Sequence, residues 1–309
     1  MASSSKVTAF QSALTRASDL LSLPLLARRK APDAQEGQAA LDHLQKIATD
    51  FHPENKPYPT LRCIHHLACT GGTLLSRAIA AQPNVTLLSE VDPLSPLAHK
   101  HPFVPTDLIG LAKFGSRPAS QETQLNVFQA GMSVLQKASE DEGNYLVLRN
   151  HAHGKYNFGP KVQERPSLRD VLSDRYKLIE VVTVRNPVDS FLALEHNNWV
   201  SFQPANFDEY CRRYFAFLDD HAELSVFRYE DFVNSPVSET ERLCDALTLP
   251  FNAEFEKIMQ AIEISGNSGR RGAEIALRPR RNVSEEFLAI CHKSEAYKKL
   301  CERLGYPIL

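Results

Sequence analysis

The stretch Leu61-Arg-Cys-Ile-His-His-Leu-Ala-Cys-Thr-Gly-Gly-Thr-Leu-Leu-Ser76 decides the fold. Its first seven residues are typical of a buried strand, and a helical pattern begins near Thr73. Between them lies a turn of small residues in which Gly71 and Gly72 permit unusual backbone angles. The first amides of such a helix have no carbonyl partner within the helix, so this corner suits a phosphate. A Gly-Gly turn is also common as a plain connection, and the Gly-Lys-Ser/Thr ending of a Walker A loop is missing.

Strand-like and helical runs alternate along the chain after this corner. The predicted strands are 61–67, 85–88, 145–148 and 178–184, with a weaker one at 224–227. The predicted helices are 74–81, 121–139, 188–196, 207–220, 238–247 and 284–304. This alternation predicts an α/β fold with right-handed crossovers, in which helices flank a central, mostly parallel β-sheet to give three layers. We predict that this domain covers residues 59–309 and follows a helical N-terminal extension over residues 1–58.

Composition excludes several classes of protein. The 309 residues are 43% hydrophobic and 23% charged, which is ordinary for a globular chain and not for a disordered one. The net charge of −2 disfavours a nucleic-acid partner, and no apolar run approaches the ~18 residues of a membrane span. The six cysteines form no CxxC pair, which predicts free thiols in a reducing, cytoplasmic setting and no metal site. Near the N-terminus, basic residues 28–30 follow the apolar stretch 20–26, the reverse of a signal peptide.

A second corner of the same kind runs from Leu178 to Ala193. Arg185 lies just past the predicted strand, and Pro187 occupies a first-turn position of the helix. An arginine held there presents a planar fork of donors to a phosphate, although a salt bridge to Asp189 within the turn is an equal alternative. Ligands of open parallel sheets bind beyond the carboxyl ends of the strands, so both corners are expected to point into one crevice.

A third basic element lies late in the chain. Arg270 and Arg271 stand between glycines, and Arg278, Arg280 and Arg281 follow shortly after. A basic run is most often a solvated face. Flanking glycines, however, suit a loop that folds over an anion.

In combination, these elements resemble the sulfotransferases that use 3′-phosphoadenosine 5′-phosphosulfate (PAPS), over roughly residues 60–281. The family's 5′-phosphosulfate loop, P-[KR]-S-G-T-T, is similar to residues 68–73, and its 3′-phosphate corner, R-x-P-x-D-x-x-x-S, is similar to the stretch from Arg185. The family's Tyr-Glu-Asp near the adenine and its late Arg-Lys-Gly loop have counterparts at 229–231 and 270–272. The resemblance implies a P-loop-like fold, PAPS as cofactor and 3′,5′-adenosine bisphosphate (PAP) as product. It implies nucleotide contacts from Thr70, Gly71, Gly72, Thr73, Arg185, Ser190, Tyr229, Arg270 and Arg271.

Two positions depart from the family pattern. Cys69 stands where the family has a basic residue, and Ala193 stands where it has a serine. Ser190, one helical turn earlier, is expected to supply the missing hydroxyl. A cation is wanted at the first loop because charge builds on the bridging oxygen as sulfur departs. The candidate replacements are Arg149 and the neighbouring pair His65 and His66.

Two residues are candidates for the base that takes a proton from the acceptor. Glu90 follows the predicted strand 85–88 and is similar to the catalytic glutamate of tyrosylprotein sulfotransferases. His151 is similar to the histidine in the Lys-Thr-His of cytosolic sulfotransferases, which puts Arg149 at the lysine of that motif. His153 is a lesser candidate. A capping or surface carboxylate and a structural histidine are the alternatives, and the resemblance implies no metal.

The sequence therefore predicts an enzyme that moves a sulfuryl group from PAPS to a hydroxyl or amine of a small-molecule, glycan or peptide acceptor. Two alternatives remain. One is a nucleotide-binding relic of the same fold that has lost catalysis. The other is a kinase-like transferase, which would need a lysine in the first loop.

Overall fold

A computed structural model describes residues 58–96, 107–259, 261–262, 264, 275–276 and 280–309. The helical extension predicted for residues 1–58 lies outside the described residues, apart from Tyr58. Arg270 and Arg271 lie outside them as well. The described residues from Pro59 onward belong to one compact unit.

A five-stranded parallel sheet forms the centre of this unit. Its strands are β1 (Thr60–His66), β2 (Val85–Val91), β3 (Tyr145–His151), β5 (Lys177–Val184) and β7 (Ser225–Arg228), in the spatial order β2-β3-β1-β5-β7. Every pairing in the sheet is parallel. The predicted α/β fold is thereby confirmed, and the carboxyl ends of β1, β3 and β5 lie side by side at one edge.

Helices cover both faces of this sheet. They are α1 (Gly72–Ala80), α2 (Leu108–Lys113), α3 (Gln121–Asp141), α4 (His153–Tyr156), α5 (Leu168–Leu172), α6 (Pro187–His196), α7 (Phe207–Asp219), α8 (Tyr229–Asn234), α9 (Pro236–Leu247), α10 (Phe255–Met259), α11 (Glu285–Lys293) and α12 (Glu295–Leu304). Alternate residues of β1 enter different cores: Ile64 packs with α1 and α9, whereas Leu61 and Cys63 pack with α3 and α5. Among the described residues, no helix combines the length and apolar character that a membrane crossing requires.

The structure departs from the predicted elements at several places. The short helices α2, α4, α5, α8 and α10 were not predicted, and β3 continues beyond its predicted end to His151. Instead of one helix over 284–304 there are two, because the Ser294 hydroxyl accepts the Tyr297 amide and starts α12. A register shift between Leu88 and Val91 lets β2 continue to Val91, beyond its predicted end. A small sheet, unpredicted because each strand has only two residues, joins β4 (Phe158–Gly159) to β6 (Ser201–Phe202).

Candidate active site

The first corner is a tight turn between β1 and α1. The Thr70 hydroxyl is fully buried and donates to the Leu67 carbonyl oxygen at 2.7 Å. It shapes the turn instead of facing a ligand, contrary to the expectation for this side chain. Gly71 has a φ of +86° and caps α1 without a side chain. The amides of Gly72 and Thr73 therefore belong to a first helical turn whose positive end faces the sheet edge.

Both glycines of this corner are required by packing. A Cβ on Gly71 would lie 2.2 Å from Cδ2 of Tyr229, and a Cβ on Gly72 would lie 2.5 Å from the ring of His66. The Gly-Gly pair thus allows two aromatic rings to pack against the loop, His66 from the end of β1 and Tyr229 from the start of α8. A plain connection has no need of such close approach.

The second corner contacts the first directly. Arg185 donates from Nη1 to the Cys69 carbonyl oxygen at 3.2 Å, and its guanidinium lies over the Tyr229 ring, 4.8 Å from the centroid. The Arg185 Nε is buried and has no hydrogen-bond partner among the described residues. A buried donor of this kind fits an anionic ligand. The Glu230 carboxylate accepts the Asn186 amide at 3.0 Å and so holds the start of α6 in place.

Asp189 does not pair with Arg185. It accepts both Nε and Nη2 of Arg280, at 2.8 and 3.1 Å, so the alternative of a salt bridge within the turn is wrong. This contact places Arg280 at the start of α6. Burial raises the pKa of the Cys69 thiol to about 11, against smaller lowering effects from Arg185 and Arg281. Cys69 is therefore a neutral thiol, and its Sγ accepts from the amide of Asn197 at 3.7 Å.

Ser190 is not brought to the crevice. Its side chain is fully buried and donates to the carbonyl oxygens of Asn186 and Pro187, at 3.0 and 3.1 Å. The Tyr210 hydroxyl donates to the same Oγ at 2.8 Å. The hydroxyl is occupied within the core, so the expectation that it replaces the family's serine is not supported.

Arg149, a residue of β3, lies at the centre of a group of polar side chains beside the first corner. Only 4% of the residue is exposed, and four side chains of the described part of the chain contact its guanidinium. Nε donates to Nε2 of His66 at 2.7 Å, and Nη1 donates to the Ser89 hydroxyl at 2.7 Å. Nη2 donates to Thr73 Oγ1 at 2.9 Å and lies 2.8 Å from Oε1 of Glu90. One cation thus touches both the first loop and a candidate base.

The two histidines of β1 have different environments, because successive residues of a strand point to opposite faces. His65 lies on the far face, where it contacts Glu180 at 2.9 Å and the Asn150 amide. His66 faces the first loop, but burial and the nearby Arg149 charge hold its pKa well below the usual value. Neither histidine therefore supplies a cation at the loop. Of the three candidate replacements, only Arg149 does.

Glu90 and His151 lie close together. Oε2 of Glu90 is 3.4 Å from Nε2 of His151, and the two side chains are 26% and 21% exposed. Glu90 is located within β2 at its register shift, with a backbone φ of +62°. For a residue other than glycine this left-handed conformation costs about 1–3 kcal/mol. His153, the lesser candidate, is buried behind His151 with the ring centroids 5.9 Å apart.

Several contacts of the site have no signal in the local sequence. Ser89 and Asn197 are ordinary polar residues in their local sequence, and the ion pair of Arg280 with Asp189 spans 91 positions.

Among the described residues, one group could share a metal ion: Cys63, His65 and Glu180. Both ring nitrogens of His65 are already hydrogen-bonded there, and Arg169 contacts Glu180 at 3.2 Å, so the group is satisfied as a polar network.

No protein-family model matches the chain, and no curated protein sequence matches it. Solved structures of sulfotransferases do match across most of the chain. It is similar to the sulfotransferase domain from the curacin biosynthetic pathway, with 14% identity and a TM-score of 0.49 over 82% of this chain and 100% of that one. The sulfotransferase domain of the Synechococcus PCC 7002 olefin synthase matches with 15% identity and a TM-score of 0.46, over 83% and 98%. Mouse sulfotransferase SULT7A1 complexed with PAP matches with 11% identity and a TM-score of 0.36, over 66% and 64%. The identities and TM-scores of these matches are low, and the residues of the site itself carry the functional proposal.

Replacing Gly71 by alanine should disrupt the first corner. The new methyl group meets the Tyr229 ring, and the positive φ is unfavourable for alanine, so we expect a loss of about 1–3 kcal/mol in the free energy of unfolding. Gly131 in α3 is the matched control, because nothing lies within 4 Å of a Cβ there. Gly131→Ala should instead gain about 0.5–1 kcal/mol. Urea unfolding measures both, and equal effects would contradict the close approach of Tyr229.

Proposed function

We propose that this chain is a sulfotransferase that moves the sulfuryl group of PAPS to a hydroxyl or amine of an acceptor. The observation that carries the proposal is the position of Arg149. Its guanidinium contacts Thr73 in the first loop and Glu90 in β2. A single buried cation between an anion-binding loop and a carboxylate suits the transfer of a group whose leaving atom gains negative charge. The matches to sulfotransferase structures agree with the proposal.

The nucleotide would be held where the first and second corners contact each other. The first-turn amides of Gly72 and Thr73 suit the 5′-phosphate, because helix N-termini favour anions. The buried Nε of Arg185 suits the 3′-phosphate, with Arg281, Arg270 and Arg271 as further donors. Tyr229 stiffens this region by packing on both Gly71 and Arg185.

Each remaining residue then has a defined task. Bound PAPS would supply the sulfuryl group, and the electron pair of the broken bond to sulfur would remain on its 5′-phosphate oxygen. Arg149 stabilises that charge, a role that the neutral thiol of Cys69 cannot fill. As the acceptor oxygen or nitrogen bonds to sulfur, its proton passes to the pair formed by Glu90 and His151. The β-bulge at Glu90 aims the carboxylate toward this point, a common use of bulges beside active sites.

Nucleotide binding tests the donor half of the proposal. Charge-assisted contacts to phosphate are worth about 1.5–3 kcal/mol, so Arg185→Ala should weaken PAP binding roughly ten-fold or more in calorimetry. Adenosine 5′-monophosphate lacks the 3′-phosphate, so its affinity should change little in the same variant. Arg212→Ala is the control, since its side chain is 65% exposed and its ion-pair partners, Asp208 and Glu209, belong to its own helix. Equal losses for both nucleotides would place the 3′-phosphate elsewhere, and failure of the wild type to bind PAP would reject the proposed function.

Turnover with PAPS tests the cation. Removing one donor that stabilises a developing oxyanion costs about 10²–10³ in kcat, which we expect for Arg149→Ala with PAP binding largely kept. Cys69→Lys should bring no gain, because a second cation crowds a loop that already has one. If Cys69→Lys instead raises kcat, the leaving group lacks a cation in the wild type. An inactive wild type that binds PAP would identify the chain as a relic.

Two variants separate the candidate bases. Loss of a general base costs about 10²–10⁴ in rate with a smaller effect on binding. We expect Glu90→Gln to lose activity to this extent while still binding PAP, and His151→Ala to lose less. Glu142→Gln, at an exposed carboxylate, is the control. Full turnover of Glu90→Gln would transfer the role to His151, whereas activity in both variants would indicate an amine or an already ionised nucleophile.

A further inference from the structure

We propose that His66 is a positioning residue for Arg149, holding the guanidinium plane against the first loop as a neutral hydrogen-bond acceptor. The inference deepens the proposed function and rests on it for its consequence in catalysis. It assigns a role to a residue that sequence reasoning considered only as a replacement cation.

The hydrogen bonds of His66 define its tautomer. Its Nδ1 lies 2.8 Å from the Leu67 carbonyl oxygen, which can only accept, so Nδ1 carries the proton. Nε2 then presents a lone pair, and the Arg149 Nε–H donates to it at 2.7 Å. A protonated imidazole could not accept this bond. Burial and the Arg149 charge lower the pKa of His66 and keep it in the neutral form that accepts.

The contact also determines the direction of the guanidinium. Because the group is planar, one bond at Nε to the end of β1 sets the plane in which Nη1 and Nη2 lie. Nη2 then reaches Thr73 and Glu90, and Nη1 reaches Ser89. Among the contacts of Arg149 with described residues, the bond from Nε is the one that couples this plane to β1, the strand that leads into the loop.

Packing couples His66 to the loop itself. Its ring occupies the space where a side chain at residue 72 would begin, 2.5 Å from an ideal Cβ. The imidazole is therefore wedged between the first helical turn and Arg149, and only 4% of the residue is exposed. A displacement of about 1 Å in such a group can cost 10²-fold in rate.

Three substitutions separate positioning from simple packing. In His66→Gln the side-chain oxygen can reach the place of Nε2 and accept from Arg149. In His66→Asn the shorter amide reaches only toward Leu67, and in His66→Phe the ring remains without a nitrogen. We expect kcat to fall about 10- to 100-fold in the asparagine and phenylalanine variants, with little change in the KM for PAPS. The glutamine variant should recover most of kcat.

A second measurement is independent of turnover. In protein labelled with 15N-arginine, the Arg149 Nε–H should give a slowly exchanging NMR signal, which Arg149→Lys removes and so assigns. The signal should persist in His66→Gln and exchange at least about ten-fold faster in His66→Asn and His66→Phe, because one charge-assisted hydrogen bond is lost.

The combined outcomes distinguish the two proposals. An unchanged signal in His66→Phe overturns the positioning role. So does a kcat that follows the thermal stability of the three variants instead of the presence of a hydrogen-bond acceptor. A signal that depends on the acceptor in a wild type that transfers no sulfuryl group supports the placement of Arg149 by His66 and rejects the proposed function. Recovery in both signal and kcat for His66→Gln alone supports both proposals.

Discussion

Arg149 brings a permanent positive charge to a position where 4% of the residue is exposed, and a buried charge is costly unless partners surround it. Among the described residues, its partners come from three segments besides its own strand: His66 from β1, Thr73 from α1, and Ser89 with Glu90 from β2. Removing any one leaves a donor or a carboxylate without its counterpart. The relative positions of three neighbouring segments of the fold are therefore tied to one side chain.

A second set of contacts joins the two corners. The Arg185 guanidinium donates to the Cys69 carbonyl oxygen and lies over the Tyr229 ring. The next residue, Glu230, contacts both the Asn186 amide and the Tyr306 hydroxyl. The last of these hydrogen bonds is 2.6 Å long and connects the corner to the region after α12. A carboxylate shared between a backbone amide and a phenol is satisfied without a cation. The stretch 229–231 therefore has a structural part in addition to any contact with adenine.

The sheet was predictable because short apolar runs between helical patterns leave few alternatives to a parallel arrangement. The edge at which Glu90, Arg149 and His151 meet followed from the same rule. The details that depend on distant partners did not. Ser190 has the expected place on its helix, but Tyr210 takes up its hydroxyl. The bulge that turns Glu90 into position has no marker in the local sequence, because the residue at positive φ is not glycine or asparagine.

The alternation along β1 has a consequence for how this chain can vary. His65 and His66 are adjacent, yet they serve networks on opposite faces of the sheet, and they face Asn150 and His151 in the register of β3. A substitution in this strand acts on the one face of the sheet to which that residue points. The insertion of a single residue before them would exchange the two faces. His65, the partner of Glu180, would then lie beside the first loop, and His66, the partner of Arg149, would lie among apolar helices. Related chains should therefore tolerate length changes in their loops far better than between Thr60 and His66.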